Sequence, residues 1–257
     1  MVKFVNYDAI AAEYDRRYDK TDYSGVESVL LDFIGEDPSV HILEVGCGTG
    51  HWLEVLSGRG YRVVGLDASR SMVNQAKSKI PHAALVHGHA EALPWQAASF
   101  ERIFCINAFH HFSDKTSFMT EARRVLRRGG SLMIIGLDPH TDCNRWWIYD
   151  YFPQVVAMDK GRYPPTHELR KLMSESGFVD SCTVEAQHLL LHVPAHMALE
   201  QGRLDKTVTS QLALLTDDEY IDGIRRLQRD IETAEAHNEV LPLHTDLWLC
   251  ATMGSVV

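Results

Sequence analysis

A glycine-rich turn followed by an acidic residue is the part of this sequence best suited to chemistry. Gly46, Gly48 and Gly50 alternate within five residues, directly after the run Ile42–Val45, and Asp67 ends the next apolar run. Because glycine has no Cβ, such a backbone can turn sharply and let a ligand lie against it. A strand, a glycine turn, a helix and a second strand with an acid at its tip form a nucleoside pocket in doubly wound sheets.

The spacing of these glycines argues against a dinucleotide pocket. The dinucleotide fingerprint G-x-G-x-x-G, counted from Gly46, requires a third glycine where the chain has His51. An NAD-linked oxidoreductase is therefore disfavoured.

Further motifs follow the glycine turn in order along the chain. They are E-V-G-C-G-T-G at 44–50, G-L-D at 65–67, H-G-H-A-E-A-L-P-W at 87–95, S-F-E-R-I-F at 99–104, N-A-F-H-H-F at 107–112, and a helix with a glycine turn at 121–130. Over about residues 40–138 the sequence resembles the class I S-adenosylmethionine-dependent methyltransferases. It is most similar to the type 11 branch, which is typified by the ubiquinone and menaquinone biosynthesis methyltransferases.

The order of the predicted elements indicates an α/β fold. Strands are expected at 41–45, 61–66, 82–87, 100–105 and 131–138, with helices between them at 50–58, 69–79 and 113–127. This alternation requires a parallel sheet with helices on both faces. Ser69, Ser113 and Thr166 are expected to cap helices. The resemblance implies a doubly wound, Rossmann-like sheet of seven strands in the order 3-2-1-4-5-7-6, completed by a hairpin of strands at 178–193 and 243–252.

We expect a single methyltransferase domain over residues 1–257. Its expected parts are a helical N-terminal cap at 1–38, the cofactor-binding core at 39–138, and a substrate-side lid formed by the insertions 139–165 and 195–240. The first insertion is too aromatic for a simple loop. The second is expected to be helical, because Thr216 and Glu219 have the spacing of a capping box.

The resemblance implies S-adenosylmethionine as the cofactor and S-adenosylhomocysteine as the product. Because the sulfonium makes the methyl group electrophilic, the protein has mainly to align the reactants and exclude water. Asp67 is implied to accept hydrogen bonds from the ribose hydroxyls, and Glu44 to lie near the methionine amino group. The expected cofactor-binding residues are Tyr14, Glu44, Gly46, Gly48, Asp67, Ala68, Met72, Ala90, Glu91, Asn107 and Ala108. His89 stands where the family commonly has an aspartate that receives the adenine amino group.

The candidate catalytic residues are His110, His111 and Asp138. A histidine near the transferred methyl group can take a proton from the acceptor, because imidazole titrates near neutral pH. Packing of one histidine in the core and solvation of the other explains the pair equally well. Asp138, at the tip of the fifth predicted strand, is expected either to orient such a histidine or to act as the base.

The candidate substrate residues are Trp146, Trp147 and Tyr151. Aromatic faces attract a cationic sulfonium and can line a pocket for a partly apolar acceptor. Packing within the lid explains these three residues equally well.

The composition and charge of the chain limit the kinds of partner that it is expected to bind. A formal net charge of −10 argues against nucleic acid. The five cysteines include no C-x-x-C pair, and the pair His87 and His89 has no evident third ligand, so no metal is expected. No apolar run is long enough to span a membrane. We expect a cytoplasmic monomer or homodimer that methylates O, N or C of a small, partly apolar acceptor. The alternative is a catalytically degenerate S-adenosylmethionine-binding or regulatory protein.

Overall fold

The computed structural model describes residue 5, residues 7–11, 14, 15 and 18, and residues 21–257. The chain divides into two compact units. The larger comprises Asn6–Asp138, Tyr163–Gln187 and Leu249–Val257, and the smaller comprises Met1–Val5, Pro139–Arg162 and His188–Trp248. The expectation of a single domain stays a prediction.

A mostly parallel sheet forms the centre of the larger unit. The strands of the chain are β1 (Ile42–Val45), β2 (Val63–Asp67), β3 (Ala84–His87), β4 (Phe100–Ile106), β5 (Leu126–Leu137), β6 (Arg145–Trp146), β7 (Val179–Pro194) and β8 (Pro242–Ser255). The order is β3-β2-β1-β4-β5-β8, with β7 also paired to β8. The five strands β3, β2, β1, β4 and β5 are parallel to one another. Strand β8 is antiparallel to β5. This order confirms the predicted 3-2-1-4-5-7-6, in which the predicted sixth and seventh strands are β7 and β8. The two-residue strand β6, which follows β8 in the sheet, was not predicted.

Helices follow the strands of the sheet along the chain. The helices are α1 (Tyr7–Ile10), α2 (Ser24–Ile34), α3 (His51–Gly58), α4 (Arg70–Lys79), α5 (Lys115–Val125), α6 (Trp147–Tyr151), α7 (Gln154–Arg162), α8 (Thr166–Glu175), α9 (Ala195–Glu200), α10 (Ser210–Ala213) and α11 (Asp217–Ala236). A 3₁₀ turn covers Phe109–His111. Leu43 of β1, Ile103 of β4 and Phe118 of α5 are fully buried in one apolar cluster. The core of the larger unit therefore lies between the sheet and its helices.

Strand β5 begins earlier than the predicted residue 131. Leu126 already pairs with Phe100, and the register between β4 and β5 then shifts before Arg102 pairs with Ser131. The glycines at 129 and 130 therefore lie within the strand as an irregularity, and do not precede it as predicted.

The helix caps agree only partly with the predictions. Ser69 caps α4 as predicted, because its hydroxyl accepts a hydrogen bond from the Met72 N–H (3.1 Å). The prediction of Ser113 as the cap of α5 is wrong. Asp114 takes that position and accepts from the backbone of the helix, while the Ser113 hydroxyl donates to Glu91. The prediction of Thr166 as a cap is also wrong, because α8 already begins at this residue.

The smaller unit has an apolar cluster of its own. It consists of the buried residues Ile148, Phe152, Val155, Leu212 and Leu215. A Cβ added at Gly223 of α11 would collide with the Phe152 ring, so the helix backbone packs directly on this side chain. The predicted capping box of Thr216 and Glu219 is confirmed at the start of α11. Strand β6 pairs with β8 in this unit.

None of the helices that the structure describes has both the length and the apolar character needed to cross a lipid bilayer.

Candidate active site

The glycine turn joins β1 to α3 and lies against the end of β4. Gly46 has a φ of +78°, and a Cβ at this position would collide with the Cβ of Ala108. Gly50 has a φ of +82°, and its Cβ would lie 3.0 Å from both the Ala76 Cβ and the Ile80 Cδ1. Gly46 therefore lets the tips of two neighbouring strands approach each other, and Gly50 allows close packing on α4.

Asp67 is held beside the glycine turn by two backbone groups. Its Oδ2 accepts a hydrogen bond from the Gly48 N–H and its Oδ1 accepts from the Ser69 N–H, both at 2.8 Å. Burial raises the pKa of this carboxyl, although the two hydrogen bonds oppose the rise. The turn and the acid at the end of β2 thus form one rigid arrangement, as expected from their sequence spacing.

Glu44 is a buried acid with an unsatisfied oxygen. It is 1% exposed, and its Oε2 has no hydrogen-bond partner among the described residues. Burial and the charge of Asp67 raise the pKa of the Glu44 carboxyl well above its usual range. A buried acceptor without a partner costs about 1–3 kcal/mol, which a bound donor would recover.

These two carboxyl groups suit a cationic ligand. Neither Glu44 nor Asp67 forms an ion pair with a lysine or arginine in the part of the chain that the structure describes. A positive ligand would relieve the unfavourable burial of both acids. S-adenosylmethionine carries an ammonium and a sulfonium group, so the residues present fit this cofactor.

The end of β4 presents the two candidate histidines. Asn107 has a φ of +51°, a backbone conformation that asparagine tolerates better than most residues. Its N–H donates to the Ile135 carbonyl of β5 (2.8 Å). This bend leads into the 3₁₀ turn, in which the ring centroids of His110 and His111 lie 3.9 Å apart.

Each histidine has a tyrosine partner that the sequence analysis did not assign to it. The Tyr7 hydroxyl lies 2.6 Å from His111 Nε2, and the Tyr163 hydroxyl lies 3.0 Å from His110 Nε2. His110 is 7% exposed. The histidines are therefore anchored on different tyrosines, one near the N-terminus and one before α8.

The described N-terminal residues contact the cofactor loops. Asp8 accepts hydrogen bonds from the Ser69 hydroxyl (2.6 Å) and the Ser71 N–H (2.9 Å). Asp15 accepts from the Thr49 hydroxyl and forms an ion pair with a lysine of α4. Tyr14 lies near the glycine turn, with its Cε1 3.6 Å from a Cβ built at Gly48. The repeated pair Tyr-Asp, at 7–8 and again at 14–15, is the sequence signal that could have identified these contacts.

Several other predicted cofactor residues have structural partners. Met72 is 1% exposed and Ala90 is 5% exposed. The Glu91 carboxylate accepts from the Ser113 N–H and hydroxyl, both at 2.8 Å. Burial favours a higher pKa for Glu91, but these hydrogen bonds outweigh it and lower the pKa. The cofactor roles of these three residues stay predictions.

The remaining adenine-side residues are exposed. The Ala68 carbonyl accepts a hydrogen bond from His87 Nε2 at 3.0 Å. His89 is exposed, so its imidazole is accessible to a ligand. No group of three His, Cys, Asp or Glu residues among those described could hold a metal ion.

Asp138 lies at the end of β5 and is 3% exposed. Its Oδ2 accepts a hydrogen bond from the Thr166 N–H at 2.8 Å, at the first residue of α8. The catalytic role expected for Asp138 stays a prediction.

The three candidate substrate residues belong to the smaller unit. Trp146, Trp147 and Tyr151 are each partly buried against the apolar cluster of that unit. The Tyr151 hydroxyl donates to Asp230 of α11 at 3.0 Å. Their described contacts therefore include packing within the unit, and the substrate role stays a prediction.

Comparisons with known proteins identify the family. A family model for the type 11 methyltransferase domain matches residues 43–134. A protein of Mycolicibacterium smegmatis, named a probable S-adenosylmethionine-dependent methyltransferase, is 31% identical over 214 residues, covering 74% of this chain and 77% of the relative. The demethylmenaquinone methyltransferase of Thermotoga maritima is 29% identical over 170 residues, covering 58% of this chain and 74% of the relative.

A solved structure agrees in fold. The crystal structure of the YcgJ protein of Bacillus subtilis has a TM-score of 0.63 and 18% identity, and the match covers 91% of this chain and 99% of the other. The motifs, the strand order and these relatives all agree, and the chain belongs to the class I S-adenosylmethionine-dependent methyltransferases.

Proposed function

We propose that the glycine turn, Glu44 and Asp67 hold S-adenosylmethionine in the larger unit. Asp67 receives the ribose hydroxyls and Glu44 receives the methionine ammonium. The observation that carries this proposal is the buried Glu44 Oε2, which has no partner among the described residues. The expected backbone contacts of Gly46, Gly48, Asn107 and Ala108 belong to the same proposal.

The reaction we propose is methyl transfer to O, N or C of a small, partly apolar acceptor. When bound, the cofactor supplies an electrophilic methyl group on a sulfonium. The protein then has to align the acceptor and receive its proton. His111 and Tyr7 are suited to this second task, because they share a hydrogen bond at the end of β4.

An apolar acceptor has support from two sources. The Thermotoga maritima relative is named for demethylmenaquinone, a quinone with a large apolar part. Trp146, Trp147 and Tyr151 have aromatic faces that can contact such an acceptor. We propose that these three residues bind it.

Replacing both tryptophans with Ala should leave cofactor affinity within a few-fold but abolish activity on the acceptor. A loss of cofactor affinity would contradict this assignment.

We also propose that nucleic acid is not the acceptor, and that the protein acts as a cytoplasmic monomer or homodimer. The net charge of −10 supports the first part, because a phosphate backbone requires a basic surface. Gel-shift and size-exclusion measurements on the purified protein test both parts.

Calorimetry with S-adenosylmethionine, S-adenosylhomocysteine and NAD tests the cofactor site. We expect binding of the first two ligands and none of NAD. Asp67→Asn should weaken binding, whereas the exposed Asp37→Asn, a matched control, should not. A folded protein that binds neither of the first two ligands would refute the proposal. Binding without release of S-adenosylhomocysteine in any acceptor screen would instead favour a non-catalytic cofactor-binding protein.

A further inference from the structure

A stack of two buried rings, Tyr163 on His110, lies at the end of β4 and contacts the partly buried ring of His111. The Tyr163 ring lies parallel to the His110 ring, with centroids 3.9 Å apart and an interplanar angle of 17°. His110 in turn lies against His111. Tyr163 is 8% exposed, and its hydroxyl is bonded to His110 Nε2. His110 is thus held on one side by a tyrosine and contacts the second histidine.

Asp138 anchors the short segment that carries this tyrosine. The segment is Tyr163–Thr166, and Asp138 accepts a hydrogen bond from the N–H of its last residue. The two residues between are Pro164 and Pro165, whose rings fix their φ angles. Because the prolines reduce the freedom of the segment, fixing its last residue restricts where Tyr163 can lie.

The stack lies beside a small cavity. The cavity has a volume of about 30 Å³ and is lined by Tyr163, His110, Cys250 and Thr252 among others. The rings therefore have room to shift if the hydrogen bond between them is lost.

We infer that Tyr163 is a positioning residue for the methyl-transfer site, and that Asp138 acts through it. Tyr163 holds His110 as a fixed support for His111, and His111 with Tyr7 faces the acceptor. His110 is poorly placed to act as the base, because its ring is 7% exposed and lies between the rings of Tyr163 and His111, whereas His111 is only partly buried. The inference rests on the proposed function of His111.

Nitrogen NMR of the histidine side chains in the purified protein tests this inference. Tyr163→Phe keeps the ring but removes the hydroxyl, so the His110 Nε2 resonance should shift, and the His111 resonances should shift with it. Affinity for S-adenosylhomocysteine should stay within about twofold, because Asp67 and Glu44 are untouched. Tyr149→Phe is a matched control. It removes a tyrosine hydroxyl that donates to Asp159 in the smaller unit (3.0 Å), and should move neither set of resonances.

Two variants of Asp138 separate a positioning role from that of a base. Asp138→Asn keeps an oxygen that can accept from Thr166, so the histidine resonances should stay as in the wild type. Asp138→Ala removes this oxygen and should reproduce the shifts of Tyr163→Phe. Once an acceptor is identified, methyl-transfer activity adds a second readout. Asp138→Asn should retain activity if Asp138 positions Tyr163. It should lose activity, as Asp138→Ala does, if Asp138 is the base.

Unchanged His111 resonances in Tyr163→Phe would overturn the inference. Equal shifts in the Asn and Ala variants would overturn the role given to Asp138. Failure of the proposed function would appear differently, as absent binding of S-adenosylhomocysteine to the wild type.

Discussion

Replacing Glu44 with Gln should stabilise the ligand-free protein and weaken its binding of S-adenosylmethionine. Glu44 is 1% exposed, its Oε2 lacks a partner among the described residues, and its pKa is raised well above the usual range by burial and by Asp67. Gln has nearly the same shape but no charge. The substitution therefore removes the cost of burying an acid and also removes the proposed partner of the ligand ammonium.

The sign of the pH dependence follows from the raised pKa of Glu44. Its folded-state pKa lies above its unfolded-state pKa. Between these two pKa values the folded protein binds more protons than the unfolded chain, so its stability falls as the pH rises through that range. At pH 8 we expect Glu44→Gln to be more stable than the wild type by about 1–3 kcal/mol. For a chain of this size that corresponds to a thermal midpoint higher by roughly 2–12 °C. Near pH 5 the difference should shrink, because the cost of the raised pKa builds up only as the pH rises above the unfolded-state pKa of the carboxyl.

The effect on ligand binding has the opposite sign. A hydrogen bond to a charged group contributes about 1.5–3 kcal/mol, so affinity should fall by about 10- to 150-fold. A bound ammonium favours the ionised carboxylate, so binding should lower the pKa of Glu44 and release protons at any pH between its free and bound values. Calorimetry over a range of pH, in buffers of different ionisation enthalpy, measures this release, which should be smaller in the variant. The exposed Glu54→Gln on α3 is the matched control and should change neither stability nor affinity.

One outcome would refute this reasoning about the free protein. If Glu44→Gln changed the thermal midpoint equally at pH 5 and pH 8, Glu44 would not be an acid with a raised pKa. Unchanged affinity and unchanged proton release would show that the ligand ammonium binds elsewhere.

Three further predictions concern the cofactor loops and the smaller unit. Asp67→Asn should weaken S-adenosylmethionine binding by roughly 2 kcal/mol through the loss of charge-assisted hydrogen bonds, and calorimetry showing no change would place the ribose elsewhere. Gly46→Ala should abolish binding, because its Cβ would collide with the Ala108 Cβ, and an added Ala108→Gly should restore part of the affinity; a fully active single variant would contradict this packing. Gly223→Ala should destabilise the smaller unit by about 1–3 kcal/mol through its clash with Phe152, measurable by hydrogen exchange, and unchanged protection there would show that the contact can relax.

The candidate site could be predicted only where its parts follow one another along the chain. Gly46, Gly48 and Asp67 belong to a strand–turn–helix–strand unit. In the structure the Gly46 N–H donates to the Leu66 carbonyl and the Gly48 N–H donates to Asp67, which joins the turn to the end of β2. The partners of the histidines could not be found in this way. Tyr7 and His111 are 104 residues apart in sequence, so only the folded chain brings them together.

Local signals also failed where a distant residue competed for them. Ser113 has the right chemistry to cap α5, yet the Glu91 carboxylate takes its hydroxyl and its N–H. These hydrogen bonds, formed across the fold, decide what the Ser113 side chain does.

The sequence by itself determined the succession of strands and helices along the chain, the glycine turn and the acids beside it, because hydrophobic periodicity and turn chemistry act over a few neighbouring residues. The order of the strands within the sheet was implied by the family resemblance. The tertiary structure decided which tyrosine holds which histidine, which carboxyl oxygen lacks a partner among the described residues, and which parts of the chain form each unit. These depend on contacts between segments far apart in the chain. The free energy of such contacts comes from burial, which is a property of the folded chain and not of any short stretch of sequence.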